Sequence, residues 1–192
     1  MVLPCKFSDG GCKFVGAAAI VKEHEESCTF RKLECPQVFC EANLMMAKVV
    51  NHVMNVHGAT IYTNLKRTIY WSLNNGEELF ASDKTWQPKM TVFDGHVFLL
   101  NACIKDLRWV GWAVIIGDKK MAKKYEVSMK AIGHSAEVTV WGDVYSLDIS
   151  AKEILDDWKG VLEINKKMAR KMVRMRADGG RGIAVKYELL RN

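Results

Sequence analysis

The N-terminal region carries two quartets of cysteine and histidine with a shared layout, and these constrain the chain more than any other feature. In the first, six residues separate Cys5 from Cys12, eleven separate Cys12 from His24, and three separate His24 from Cys28. In the second, Cys35, Cys40, His52 and His57 are separated by four, eleven and four residues. Zinc takes four soft or borderline ligands at the corners of a tetrahedron. A close cysteine pair on a turn supplies two of them. A helix supplies the others, because residues about four apart lie on one face. His24 and Cys28 are four apart on "AAAIVKEHEESC", a good helix former. His52 and His57 are five apart at the end of "NLMMAKVVNHVMNVH", which calls for a loosened last turn.

Other uses of these residues fit less well. A disulfide framework gives a helical histidine no role. The start "MVLPCKFSDG" has no basic segment followed by an apolar one, so a reducing compartment is expected, where stable disulfides are rare. A catalytic zinc keeps one position open for water, whereas each quartet is closed. The spacing therefore predicts two structural zinc ions per chain. Cys5, Cys12, His24 and Cys28 hold one; Cys35, Cys40, His52 and His57 hold the other. Both units are expected to need metal to fold.

The finger helices do not look like DNA readers. Such helices present Arg, Lys, Asn or Gln to the bases. The first offers Glu23, Glu25 and Glu26 against Lys22, which would repel phosphate. The second is mostly apolar, with Leu44, Met45, Met46, Val49, Val50, Val53 and Met54, and is expected to pack on protein. Residues 1–58 carry six Lys/Arg and six Asp/Glu, so the net charge of +6 lies wholly in residues 59–192.

After His57 the pattern changes period. "YEVSMKAI" (125–132) and "IAVKYEL" (183–189) alternate apolar and polar residues, the mark of half-buried strands. Further strands are expected over 60–65, 68–73, 89–93, 96–104, 109–116, 136–147 and 161–164. Asp94-Gly95 between apolar runs predicts a tight hairpin, and Gly117-Asp118 and Gly133-His134 mark other turns. Ser150 and Glu153 form a capping box for "AKEILDDW". Asn165 is expected to cap a helix through "KKMARKMVRMR" (166–176), with Met168, Met172 and Met175 on one face. Short strands at close spacing predict a mainly β fold, an antiparallel sandwich preceded by two small zinc fingers. The implied division is residues 1–58 for the tandem fingers (1–30 and 31–58) and 59–192 for the sandwich. No apolar run is long enough to span a bilayer.

The finger pattern "VLPCKFSDGGC…HEESCTFR" with its following Cys, Cys, His and His resembles the seven in absentia homologue (Siah) family. The segment from Trp86 through "QPKMTV" to Phe93 and "GHVFLL" resembles that family's early hairpin, and "YEVSMKAIG" and "RGIAVKYEL" its later strands. The resemblance covers nearly the whole chain. It implies the family's substrate-binding region, with a sandwich of the TRAF (tumour-necrosis-factor-receptor-associated factor) type. Family members are ubiquitin ligases. A RING recruits the ubiquitin-conjugating enzyme, and the fingers and sandwich bind substrates and dimerise. After the fingers only His96, Cys103 and His134 remain, too few for the eight RING ligands. No catalytic residue is therefore assigned, and the chain alone is expected to be inactive. It would be part of a RING-type ligase if a RING lies upstream, or otherwise a RING-less adaptor.

The resemblance further implies a homodimer in the cytoplasm, extending to the nucleus, with no membrane partner. It implies binding of protein substrates or adaptors as extended peptides along a sandwich edge. By position the groove would involve Ile61, Thr63, Trp86 and Met90, although Trp86 and Met90 would serve equally as core. The family places an asparagine beside the groove where this chain has Ala184. Cys103 reads as a buried apolar cysteine. The segment 166–176 has six basic residues and no acid. Lys166, Lys167, Arg170, Lys171, Arg174 and Arg176 are either a solvated face or a docking surface for an acidic partner or nucleic acid.

Overall fold

The computed structural model describes residues 1–63, 68–73, 80–157, 159–176 and 179–192. Each cysteine/histidine quartet sits on a short hairpin followed by a helix. In the first unit β1 (Val2–Pro4) pairs with β2 (Val15–Ala17), and α1 (Ala18–Ser27) follows. In the second, β3 (Lys32–Glu34) pairs with β4 (Asn43–Met45), and α2 (Val49–His57) follows.

The remaining strands form two sheets, and the fold is mainly β. The larger sheet contains β5 (Thr60–Tyr62), β7 (Lys84–Thr85), β8 (Lys89–Phe93), β9 (His96–Lys105), β10 (Arg108–Ile115), β13 (Tyr145–Ser146) and β14 (Leu162–Asn165). The smaller contains β6 (Thr68–Leu73), β11 (Tyr125–Ile132), β12 (Glu137–Asp143), β15 (Val173–Met175) and β16 (Arg181–Arg191). Most pairings are antiparallel; β5 on β8 and β13 on β10 are parallel.

The core has two compartments, one on each face of the larger sheet. Between the sheets lie Phe98, Leu100, Ile104, Trp109 and Ile115 of the larger sheet, with Trp71, Met129, Ile183, Val185 and Tyr187 of the smaller. On the far face, Leu99, Cys103, Val110, Trp112 and Val114 pack against Val49 and Val53 of α2 and against Ile154 and Leu155 of α4 (Ala151–Asp157). β9 and β10 are thus covered on both sides, so "VFLLNACI" and "WVGWAVII" are nearly continuous apolar runs. β11 and β16 keep the alternating pattern of strands with one buried face.

Local signals act as their chemistry dictates. Asp94 and Gly95 both have positive φ, 51° and 75°, in the two-residue turn that pairs Phe93 with His96. Ser150 and Glu153 bond each other's backbone N–H groups at 3.2 and 2.8 Å. Asn165 accepts from the Met168 N–H at 2.9 Å and caps α5 (Lys166–Met172).

Several expectations need correction. The helix over 166–176 stops at Met172. Residues 173–175 become β15, because pairing with β16 satisfies their backbone and Val173 packs on the core. Met175 leaves the methionine face and is 64% exposed, while Met172 is fully buried. The strand over 136–147 is two strands, β12 and β13, which lie in different sheets. The strand over 60–65 is seen over Thr60–Tyr62, with 64 and 65 outside the described residues. The short strand β7 and the helix α3 (Lys119–Ala122) carried no pattern long enough to announce them.

Met90 is core. It is 2% exposed and packs in the far-face compartment with α2. Its register neighbour on β5, Ile61, is 53% exposed. Met90→Lys would bury an unpaired charge and is expected to abolish the cooperative thermal transition followed by circular dichroism. Ile61→Lys should leave that transition within a few degrees of the parent. A stable Met90→Lys protein would show that this compartment is not a packed core.

Candidate metal centres and strand edge

The two quartets assemble as their spacing predicts. In each, the four ligand atoms all lie within 4.8 Å of one another. A zinc ion with Zn–S of about 2.3 Å and Zn–N of about 2.0–2.1 Å sets tetrahedral edges of about 3.8 Å for S···S, 3.6 Å for S···N and 3.3 Å for N···N. In the first quartet Cys5 and Cys28 Sγ are 3.9 Å apart, Cys28 and Cys12 Sγ 3.6 Å, and Cys12 Sγ and His24 Nε2 3.3 Å. In the second, Cys35 Sγ to His57 Nε2 is 3.3 Å, Cys40 Sγ to His52 Nε2 3.6 Å, and the two Nε2 atoms are 3.1 Å apart. Every one of these edges matches the ion to within a few tenths of an ångström.

Local structure aims the ligands. His24 lies in the last turn of α1, and Cys28 is the residue that ends it. The His24 ring stacks on Phe14 with centroids 4.0 Å apart, which fixes its orientation. His57 is the last residue of α2. Gly58 follows with φ 63°, and its N–H bonds the carbonyl of Val53, five residues back. That widened closing turn is what a five-residue histidine spacing requires.

The sulfur environments also suit a metal. Burial pushes the Cys35 thiol up to about 12 and the Cys28 thiol up to about 11. A hydrogen bond from the Phe14 backbone N–H draws Cys12 down to about 7. Backbone N–H groups of Phe30 and Gln37 favour thiolate at Cys28 and Cys35 in the same way. Buried sulfurs that resist ionisation alone, yet are supplied with donors, are arranged for thiolates neutralised by a cation. The chain therefore holds two structural zinc ions, and each site is closed.

The fingers attach to the sandwich differently. The second shares the far-face core through Val49 and Val53, and its buried Gln37 donates from Nε2 to Asn101 Oδ1 on β9. The first has its own small core of Cys5, Cys12 and Cys28 with Phe7, Phe14 and Phe30. It is tied on by polar contacts. Arg31, 6% exposed, pairs with Asp148 and donates to the Glu26 carbonyl at 2.5 Å. Lys120 on α3 reaches Glu23 at 3.3 Å and Glu26 at 3.5 Å. The acids of the first finger helix thus face a lysine of the same chain.

The residues expected to line a peptide groove do not share one surface. Ile61 and Thr63 are exposed on and just beyond β5, an edge strand. Met90 is core, as described. Trp86 turns inward, packs edge-on against Trp71 with centroids 6.4 Å apart, and donates from Nε1 to the Ser72 carbonyl at 2.7 Å. Trp86 therefore joins the larger sheet to β6, an edge strand of the smaller one. β5, Trp86 and β6 border one open side of the sandwich. Ala184 lies elsewhere: it is fully buried on β16, between Tyr70 of β6 and Ile132 of β11.

The six basic residues of 166–176 do not form one helical face. Lys166, Lys167, Arg170 and Lys171 are on α5, and Arg174 is on β15. Arg176 lies past β15, where its guanidinium stands 5.7 Å from the Tyr70 ring and bonds the Ser72 hydroxyl at 2.7 Å. Cys103 is fully buried, and burial pushes its thiol up to about 12, so it is inert packing. Lys89 was not picked out in the sequence. It is a single lysine in a strand pattern, and only the pairing of β5 with β8 gives it a position of interest.

Comparison with known proteins agrees with the metal sites. The Sina zinc-finger family matches residues 1–71. The putative E3 ubiquitin-protein ligase SINAT1 of Arabidopsis thaliana is 24% identical over 168 residues, covering 83% of this chain and 54% of that protein. The E3 ubiquitin-protein ligase DIS1 of Oryza sativa subsp. japonica is 25% identical over 193 residues, covering 92% and 62%. The E3 ubiquitin-protein ligase SINAT4 of Arabidopsis thaliana is 25% identical over 192 residues, covering 92% and 57%. The chain thus spans little more than half the length of these relatives.

Metal analysis of the purified chain is expected to give about two zinc equivalents, as closed tetrahedral sites require. His57→Ala should reduce this to about one, and should lower the melting temperature because α2 is also a core wall. Retention of both ions by His57→Ala would refute the second ligand set.

Proposed function

We propose that this chain, a Siah-like module with a Sina zinc-finger region, captures protein partners as extended segments at a sandwich edge and self-associates through another. The carrying observation is β5. It is a short edge strand whose outer side no described residue pairs, with Ile61 53% exposed beside it. Unpaired edge N–H and C=O groups are either protected or used. An added strand would take its affinity from main-chain bonds and its specificity from neighbouring side chains. The zinc ions hold the edge in place and perform no chemistry.

The relatives bear the name E3 ubiquitin-protein ligase. In that setting the chain serves as the substrate- or adaptor-recognition part of a ligase in the cytoplasm and nucleus, with ubiquitin transfer resting on a RING outside these residues. The opposite edge of the smaller sheet, β12, carries Trp141 at 60% exposure. A second copy covering this aromatic is the form of self-association that the surface suits.

Two measurements test this. Decapeptides selected from a displayed library on the immobilised chain should slow hydrogen exchange at the amides of residues 60–63. Ile61→Arg should weaken them about tenfold or more, as loss of a central apolar contact does, with the melting temperature unchanged. Failure to recover any peptide that protects β5 would overturn the recognition reading. In sedimentation velocity the parent should be a dimer and Trp141→Lys a monomer; a monomeric parent would overturn the self-association.

A further inference from the structure

Lys89 lies at the mouth between the two sheets. It is half-buried on β8, and its register partner Leu100 belongs to the core between the sheets, so its side chain shares that interior face. Its Nζ donates to Thr60 Oγ1 on β5 at 3.1 Å. Among the described residues no carboxylate pairs with it. Burial holds the ammonium below the usual lysine range, as expected for a cation that has lost water without gaining a counter-charge.

Lys84 on β7 shares this inward side, with Ile104 as its register partner. Lys84 stands 5.3 Å from the Trp86 ring. Arg176, over Tyr70 and bonded to the Ser72 hydroxyl, lies instead on the outer face of β6, because Ile69, Trp71 and Leu73 alternate with them into the core. Arg181 is exposed beside Leu73 in register. β5 and β6 contribute no acid among their described residues. Lys89 is thus the cation placed to meet a charge on a strand added at β5.

We propose that the occupant of the β5 edge is an acidic peptide in extended form, with one carboxylate closing on the Lys89 ammonium beside Thr60. This inference rests on the edge-recognition reading and names its ligand class. Main-chain pairing to β5 sets the strand's position. Because side chains alternate along an added strand, every second residue faces the mouth, and an acid at one such position reaches Lys89. The gain is a charge-assisted bond to a half-buried cation.

The test uses the zinc-loaded full chain and three fluorescein-labelled decapeptides of alternating Thr-Glu, Thr-Ser and Thr-Lys. The Thr-Glu peptide is expected to bind about tenfold or more tightly than Thr-Ser at low salt, the scale of one charge-assisted contact, and to slow exchange at the amides of residues 60–63. The advantage should shrink as salt rises. Lys89→Met should remove it, and Lys89→Arg should keep it, with both variants melting as the parent does. Equal protection of β5 by Thr-Glu and Thr-Ser would overturn the acidic ligand and leave edge recognition standing. No protection by either, together with failure of the library selection, would overturn both. Displacement of the Thr-Glu peptide by oligo-dT, with the same Lys89 dependence and β5 protection, would also overturn the proposal by making nucleic acid the ligand.

Discussion

The zinc site of the second finger is the constraint from which the rest of the molecule is built. α2 is nine residues long, too short to be a stable helix alone in water. Two of its residues, His52 and His57, hold metal, and two others, Val49 and Val53, are fully buried against the larger sheet. Gly58 then turns the chain in the left-handed region, and within three residues it has become β5. Metal, core wall and edge strand are consecutive along the chain. The ion therefore acts beyond its own finger. It fixes the helix that closes the far-face compartment, and it sets where the edge strand begins.

The two fingers show different ways of attaching a small zinc unit. The second gives up independence by sharing a core. The first keeps its own and is held by charge. The contacts from Lys120 to Glu23 and Glu26 are exposed, and solvent-screened pairs of that kind add little to stability. Arg31 and Asp148 are mostly buried, with side-chain exposures of 8% and 17%, and Arg31 also reaches a carbonyl of the finger. The desolvation cost of a buried pair offsets much of its attraction, but removing one partner leaves the other charge stranded. This arrangement specifies orientation more than it adds stability. It also accounts for the acidic helix face, whose negative charge meets the sandwich.

Much of this could be read in the sequence where one physical rule acted alone. Tetrahedral coordination dictates ligand type and spacing, so both quartets were plain from residue positions. β11 and β16 alternate because one face of each is buried, and Asp94-Gly95 announces its turn because both residues must take positive φ. The signal was lost where tertiary pairing overrode local pattern. "KKMARKMVRMR" has helical spacing throughout, yet the open side of β16 captured residues 173–175 as a strand. Asp106-Leu107 makes a turn with both φ values positive and no glycine to mark it. Met90 and Ile61 are register neighbours of similar chemistry, and only the placement of α2 makes one core and the other exposed. The ligand-facing part of the edge was least readable, because Lys89, Thr60, Trp86 and Ser72 come together only when the two sheets close.

That closure also bears on specificity. Ala184 is sealed between Tyr70 and Ile132 on the smaller sheet, so its small side chain cannot contact anything at β5. Tyr70, the cross-strand partner of Ala184, shares that sheet's outer face and carries Arg176 across its ring; Arg176 bonds the Ser72 hydroxyl, and the Ser72 carbonyl receives the Trp86 indole. One serine thus takes hydrogen bonds from two side chains, one through its hydroxyl and one through its main chain. Its strand edge is partly occupied from within. The edge of β5 has no such cover among the described residues, and its main-chain groups can meet an added strand directly. An asymmetric opening of this kind, with the Ser72 carbonyl of β6 taken and β5 bare among the described residues, favours a strand at β5. The Lys89 ammonium, bonded to Thr60, is then held in fixed relation to that position, which is the geometric condition for reading a charge on an extended segment.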